Sequence, residues 1–122
     1  MFSNALIFIE VEESEIPWLK VFTQKKRKEF TECTLQEREA LFTAIACIET
    51  EMLSFYNPTK INIASFGNYV PLVHWHVMAR FEDDSFFPEP MWGKKQREGD
   101  LTLPSFSDFC ERVTLVLQKE LS

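Results

Sequence analysis

The stretch from Val73 to Phe81, VHWHVMARF, alternates in a way that fits a β-strand with two different faces. Side chains at i and i+2 of a strand project from the same side. One line is therefore Val73, Trp75, Val77, Ala79 and Phe81, all apolar and suited to a core. The other line is Leu72, His74, His76, Met78 and Arg80, of which only two are apolar. A chain with such a strand needs a sheet that buries one face, and the opposite face then carries both of its histidines. Imidazole changes charge near neutral pH and serves as nucleophile, base, acid or metal ligand, so that face is a candidate for chemistry.

The remaining elements follow from periodicity and punctuation. Leu6–Val11, LIFIEV, reads as a strand, Glu12–Glu15 as a turn and Trp18–Thr23 as a second strand, together a hairpin. Thr34-Leu35-Gln36-Glu37 matches a capping box, and Leu41, Ala44, Ile45, Ile48, Met52 and Phe55 recur at helical steps behind it. Asn57-Pro58 stops that helix, because proline disfavours a helical residue before it. Ile61–Phe66 predicts a third strand and Gly67-Asn68 a turn or bulge; Pro71 is tolerable where the histidine strand begins. Residues 82–104 are polar and proline-bearing and read as a long loop, a kind that is often functional. Phe106, Phe109, Cys110, Val113, Val116 and Leu117 predict a second helix, capped by Ser105 with Asp108 three residues on. Antiparallel strands with two separate helices give an α+β fold, its helices on one sheet face and its histidines on the other.

Composition narrows the function. At 122 residues, with 12 Phe and 3 Trp, the chain is expected to be one packed domain rather than disordered. A net charge of −6 argues against general nucleic-acid binding, although local donors suffice for a small phosphorylated ligand. The runs Lys25-Lys26-Arg27-Lys28 and Lys94-Lys95-Gln96-Arg97 read as solvated loops. Three cysteines without a Cys-x-x-Cys pair speak against a disulfide framework or zinc ribbon. The start lacks a basic region and reaches Glu10 too soon for a signal peptide, and no apolar stretch approaches membrane-spanning length. The expected setting is the reduced cytoplasm, with no membrane partner.

Three readings of the histidines compete on the residues alone. They are polar groups on a solvated sheet face, or half of a metal site completed by Glu82, Asp83, Asp84 or Cys33, or a nucleophilic pair acting on phosphorus. In the last, a neutral imidazole attacks an α-phosphate in line and forms a phosphoramidate that water hydrolyses. That chemistry needs a fixed tautomer on the attacking ring and donors for the phosphate oxygens.

The run from Asn68 to Arg80, N-Y-V-P-L-V-H-W-H-V-M-A-R, with Gly67 before it and F-E-D-D and F-P-E-P-M-W-G after it, resembles the signature of the histidine triad (HIT) superfamily, in a bacterial dinucleoside polyphosphate hydrolase-like branch. The resemblance extends over the whole chain, so that 1–122 is expected to be a single HIT-like domain with two main helices on one face of an antiparallel sheet. It implies His74 as nucleophile and His76 as the histidine that contacts phosphate and helps protonate the leaving group. It implies nucleotide binding by Asn62, Gly67, Asn68 and the Leu72 position, a dinucleoside polyphosphate or phosphoramidate substrate, no required cofactor or metal, and a homodimer. Leu72 stands where the family has its first histidine, and its side chain offers no hydrogen bond. The resemblance therefore also allows a nucleotide-binding module with little turnover, although a backbone carbonyl can still orient the nucleophile's other nitrogen. If Leu72 merely removes an orienting bond, Leu72→His should raise the rate; in a module that has lost other catalytic parts it should change nothing. Trp75 is expected in the core; Trp92 is expected in a core or an interface, or closing over a base.

Overall fold

The computed structural model describes residues 1–121. Its order is β1 (Phe2–Ser3), β2 (Ile7–Val11), β3 (Trp18–Thr23), a 3-10 turn (Phe30–Glu32), α1 (Leu35–Tyr56), β4 (Lys60–Ala64), β5 (His74–Arg80) and α2 (Phe106–Glu120). The five strands form one antiparallel sheet in the order β1-β2-β3-β5-β4, so the second strand of the hairpin lies directly beside the histidine strand. Ile7, Ile9, Leu19, Val21, Val77 and Ala79 leave the sheet on one side and are fully or almost fully buried beneath α1 and α2. The α+β architecture expected from the sequence is the one observed.

Local chemistry sets the helix ends. Thr34 accepts from the Glu37 amide at 3.1 Å, and Glu37 accepts from the Thr34 amide at 2.7 Å. Asn57 closes α1 in the left-handed region at φ 48°, which asparagine tolerates better than most side chains. β4 ends at Ala64, two residues before the expected boundary, and β5 begins at His74 rather than Val73. One residue of the first basic run is not solvated: Arg27 pairs with the buried Glu37 at 3.1 Å, while its carbonyl accepts from Val73 at 2.7 Å and ties down the approach to β5. Trp75 points away from the histidines as expected and packs against the core while only partly buried, its outer side covered by Phe30 and Phe42.

Residues 82–104 are the long loop expected, without helix or strand, but the loop folds back as a cover. The reading of a solvated histidine face is corrected by burial: Met78 is 1% and Arg80 2% exposed. The cover hangs on Asp84, which is fully buried. Its carboxylate accepts from Arg80 Nε and Nη2 at 2.9 and 3.1 Å and from the amides of Phe81, Phe86 and Phe87 at 3.0, 3.0 and 2.8 Å. Burial opposes its charge, but the Arg80 guanidinium and then the three amides outweigh that and hold the carboxyl below the usual range. Arg80 continues to the Asn62 side-chain oxygen at 2.9 Å and the Glu89 carbonyl at 2.7 Å. A second clasp joins the cover to the hairpin turn, where Glu15 accepts from the amide and hydroxyl of Ser85. Gly99 lies against that clasp; a Cβ there would stand 2.5 Å from Glu15 Oε2 and 2.7 Å from Ser85 Oγ, so a side chain would displace it.

Removing one partner of a buried ion pair leaves the other uncompensated. Asp84→Ala should therefore lower unfolding free energy by about 3–5 kcal/mol, read from urea denaturation at pH 7. An effect within about 0.5 kcal/mol, the size of an ordinary surface change, would contradict this account of the cover.

Candidate active site around the two histidines

The β3–β5 register builds the site from two strands. Phe22 lies opposite His74, Lys20 opposite His76 and Trp18 opposite Met78. Phe8, Phe22 and His74 stack in a ladder across three strands, with centroids 4.9 Å apart at each step and planes within 3° and 13° of parallel. His74 and His76 are each 7% exposed, and their ring centres are 5.1 Å apart. His74 Nδ1 lies 2.7 Å from the Leu72 carbonyl oxygen. A carbonyl only accepts, so Nδ1 holds the proton and the Nε2 lone pair is left for reaction.

His76 has different surroundings. Its Nδ1 accepts from the Trp18 indole N–H at 2.9 Å, and Trp92 meets its ring edge-on at 5.0 Å. Burial first, then the nearby His74 and Lys20, push its pKa down to about 4, with Glu12 acting weakly the other way. A cleft of about 390 Å³ opens over both rings, walled by Phe22, Phe66, Asn68, Tyr69, Val70 and Trp92 and edged by Glu12 and Lys20. Among the described residues that line it, Lys20 is the one cation; it pairs with Glu12 at 3.1 Å.

Of the residues singled out in the sequence, His74, His76 and Asn68 come together in this cleft. Leu72 contributes its carbonyl rather than its side chain, and that carbonyl is the partner that orients the His74 ring. Gly67 lies outside the lining, has no positive φ, and would place a Cβ no closer than 3.7 Å to any neighbour, so the backbone itself does not require glycine there. Asn62 lines an adjoining groove with Phe66 and Trp92, and its side-chain oxygen is engaged by Arg80. Trp92 is 49% exposed and leans on His76, Trp18 and Phe66, so it is a wall of the cleft and not a core residue. Among the described residues no group of three His, Cys, Asp or Glu side chains is placed to hold a metal ion; Asp84 is enclosed by Arg80 and amides, and Cys33 is buried in the core. Sequence reasoning missed Trp18, Lys20 and Phe22, whose only signal was alternation along the second predicted strand.

A family model for the HIT domain matches residues 4–83, which span β2 to β5, the histidine strand included, and α1. The chain belongs to the HIT family. Its fold is similar to a histidine triad protein of Bradyrhizobium japonicum, with TM-score 0.72 and 24% identity over 96% of this chain and 85% of that one. A histidine triad protein of Sinorhizobium meliloti is similar at TM-score 0.70 and 24% identity, over 96% and 84% of the two chains. The diadenosine triphosphate hydrolase of Plasmodium falciparum shares the fold at TM-score 0.54 and 19% identity, over 96% and 72%. No curated protein matches the sequence.

The depressed pKa of His76 makes a pH prediction. The unfolded imidazole titrates near 6.5 and the folded one near 4, so between those values the unfolded chain binds more protons. His76 therefore contributes stability that is complete above pH 6.5 and is lost as pH falls towards 4. Denaturation midpoints for wild type and His76→Phe should converge as pH drops through that window; parallel curves would contradict the buried, neutral state of this ring.

Proposed function

We propose that this HIT-family chain is a nucleotide-binding hydrolase that cleaves a phosphoanhydride or phosphoramidate at the α-phosphate through a nucleotidyl-histidine intermediate. The observation that supports it most is the bond from His74 Nδ1 to the Leu72 carbonyl, which leaves an unprotonated Nε2 in the cleft. Nε2 attacks phosphorus, and the bond to the leaving oxygen or nitrogen breaks with its electron pair going to the leaving group; a leaving nitrogen takes a proton from solvent as it departs. Nδ1 keeps its proton on the carbonyl. Water then adds to phosphorus, the P–N pair returns to Nε2, and the water loses a proton to solvent. The sequence requires no metal or cofactor.

The first triad position loses much of its weight under this reading. Because a backbone carbonyl orients the nucleophile, a leucine at 72 does the same job as any other residue in that conformation. The alternative of a binding module without turnover, which rested on Leu72, is correspondingly weaker. Lys20 supplies positive charge for the phosphates once an anion competes with Glu12 for it. Asn68 borders the entrance to the phosphate position, Gly67 precedes it in the chain outside the lining, and Asn62 meets only a substrate that extends past Trp92. Dinucleoside polyphosphates and adenosine phosphoramidates are the substrate classes we propose. We read residues 1–122 as one domain, and place it in the cytoplasm on the strength of its unpaired cysteines. No helix among the described residues is long and apolar enough to cross a membrane. A homodimer fits the unpaired edge of β4, where Ile63 is 43% exposed, and the exposed Phe42 and Leu53 on α1.

Incubation with diadenosine polyphosphates and AMP conjugates, followed by product analysis, should show AMP release. His74→Ala should abolish it while nucleotide binding survives, and near-normal rates in that variant would overturn the mechanism. Leu72→Ala, which keeps the carbonyl, should stay within about threefold of wild type, well under the tenfold that corresponds to 1.4 kcal/mol.

A further inference from the structure

We infer that Trp18 is a positioning residue for this site: its indole N–H fixes His76 as the Nε2–H tautomer, so that His76 meets the substrate phosphate as a neutral hydrogen-bond donor. The functional half of this inference rests on the proposed phosphate chemistry; the tautomer does not.

The chemistry of the partners decides the proton's place. An indole nitrogen donates and never accepts. Trp18 Nε1 stands 2.9 Å from His76 Nδ1, so Nδ1 must present its lone pair and the ring's single proton sits on Nε2. Adding a second proton at Nδ1 would set one N–H against another. Ring inversion is opposed by the packing: Trp18 and His76 meet edge-on at 5.7 Å, and Trp92 closes on both, at 5.3 Å from Trp18 and 5.0 Å from His76. The charged and titratable groups that face the ring agree with a neutral state. His74 lies beside it on β5, Lys20 is its cross-strand partner on β3, and Glu12 from the hairpin turn is engaged by Lys20. The downward shift of its pKa has the same direction.

The consequence alters the role implied by resemblance. A neutral ring with one proton on Nε2 would become an imidazolate if it gave that proton to the leaving group. His76 therefore stabilises charge on the phosphate oxygens without releasing a proton, as a preorganised donor does. Adjacent rings thus hold opposite tautomers, His74 with a free Nε2 lone pair and His76 with an Nε2–H, the first set by a carbonyl two residues back in the chain and the second by an indole 58 residues away on β3.

Imidazole ¹⁵N NMR on the intact chain tests this directly. In wild type, His76 should show a proton on Nε2, an accepting Nδ1 coupled through the hydrogen bond to the Trp18 indole nitrogen, and a titration midpoint far below 6.5. In Trp18→Phe the midpoint should rise by about one unit, the equivalent of one lost hydrogen bond. Trp92→Phe, which removes a ring contact but no hydrogen bond to His76, should keep the wild-type tautomer. With a nucleotide substrate, Trp18→Phe should slow turnover about tenfold. A proton on Nδ1 of wild-type His76, or an unmoved midpoint in Trp18→Phe, overturns the tautomer assignment, and the wild-type spectrum decides this even if the variant does not fold. The expected spectra with unchanged turnover in Trp18→Phe overturn the functional half. The expected spectra with no wild-type turnover on any nucleotide sink the proposed hydrolase and leave the tautomer assignment standing.

Discussion

A carboxylate without solvent contact keeps its charge only where donors surround it, and the histidine side of this molecule is organised by that requirement. Asp84 gathers a guanidinium and three consecutive-loop amides into one knot, and the chain around it has little freedom left. The knot fixes Arg80, Arg80 reaches Asn62 on the edge strand and Glu89 in the cover, and the cover delivers Trp92 to the ring of His76. Without it, the polar line of β5 would be a wet sheet face. With it, the same line is buried for half its length and forms a cleft for the other half. Replacing such a pair with apolar side chains is often tolerated in stability terms. Here that exchange would also remove the geometry of the loop, because the carboxylate binds backbone amides that no apolar group can hold.

The histidines are surrounded by rings rather than charges. Phe22 lies flat on His74, Trp18 and Trp92 abut His76, and Lys20 with Glu12 are the charged pair at the cleft edge. Low local polarity strengthens each remaining hydrogen bond. It also favours the uncharged form of His76, so that ring offers an anion an N–H group rather than an imidazolium, and Lys20 supplies the cation at the cleft edge.

Much of the scaffold was legible because it is written in local rules. The capping box at Thr34 and Glu37, the stop at Asn57-Pro58, the cap at Ser105 and the limits of β3 involve neighbours in sequence, and the structure has them as read. β1 escaped because two residues, Phe2–Ser3, make no pattern. The cover escaped because proline, glycine and charge read as loop whether the loop is open or knotted; nothing local says that Asp84 is turned inward. At the site, alternation placed Trp18, Lys20 and Phe22 on a common face but not opposite which residues, since the β3–β5 register joins positions far apart in the chain. At Leu72 the sequence letter names a side chain, while the contact made there belongs to the backbone.

That register carries a last consequence. Every functional contact between β3 and β5 is made by alternate residues, and the intervening ones, Leu19 and Val21, are buried in the core with Val77. A slip of one residue would turn Lys20 into the apolar layer and leave leucine and valine beside the imidazoles. No partly correct alignment yields a partly working cleft. Assembly of the site and cooperative closure of the core are then the same event, and any population of chains with the indole beside the imidazole is a population that has finished folding.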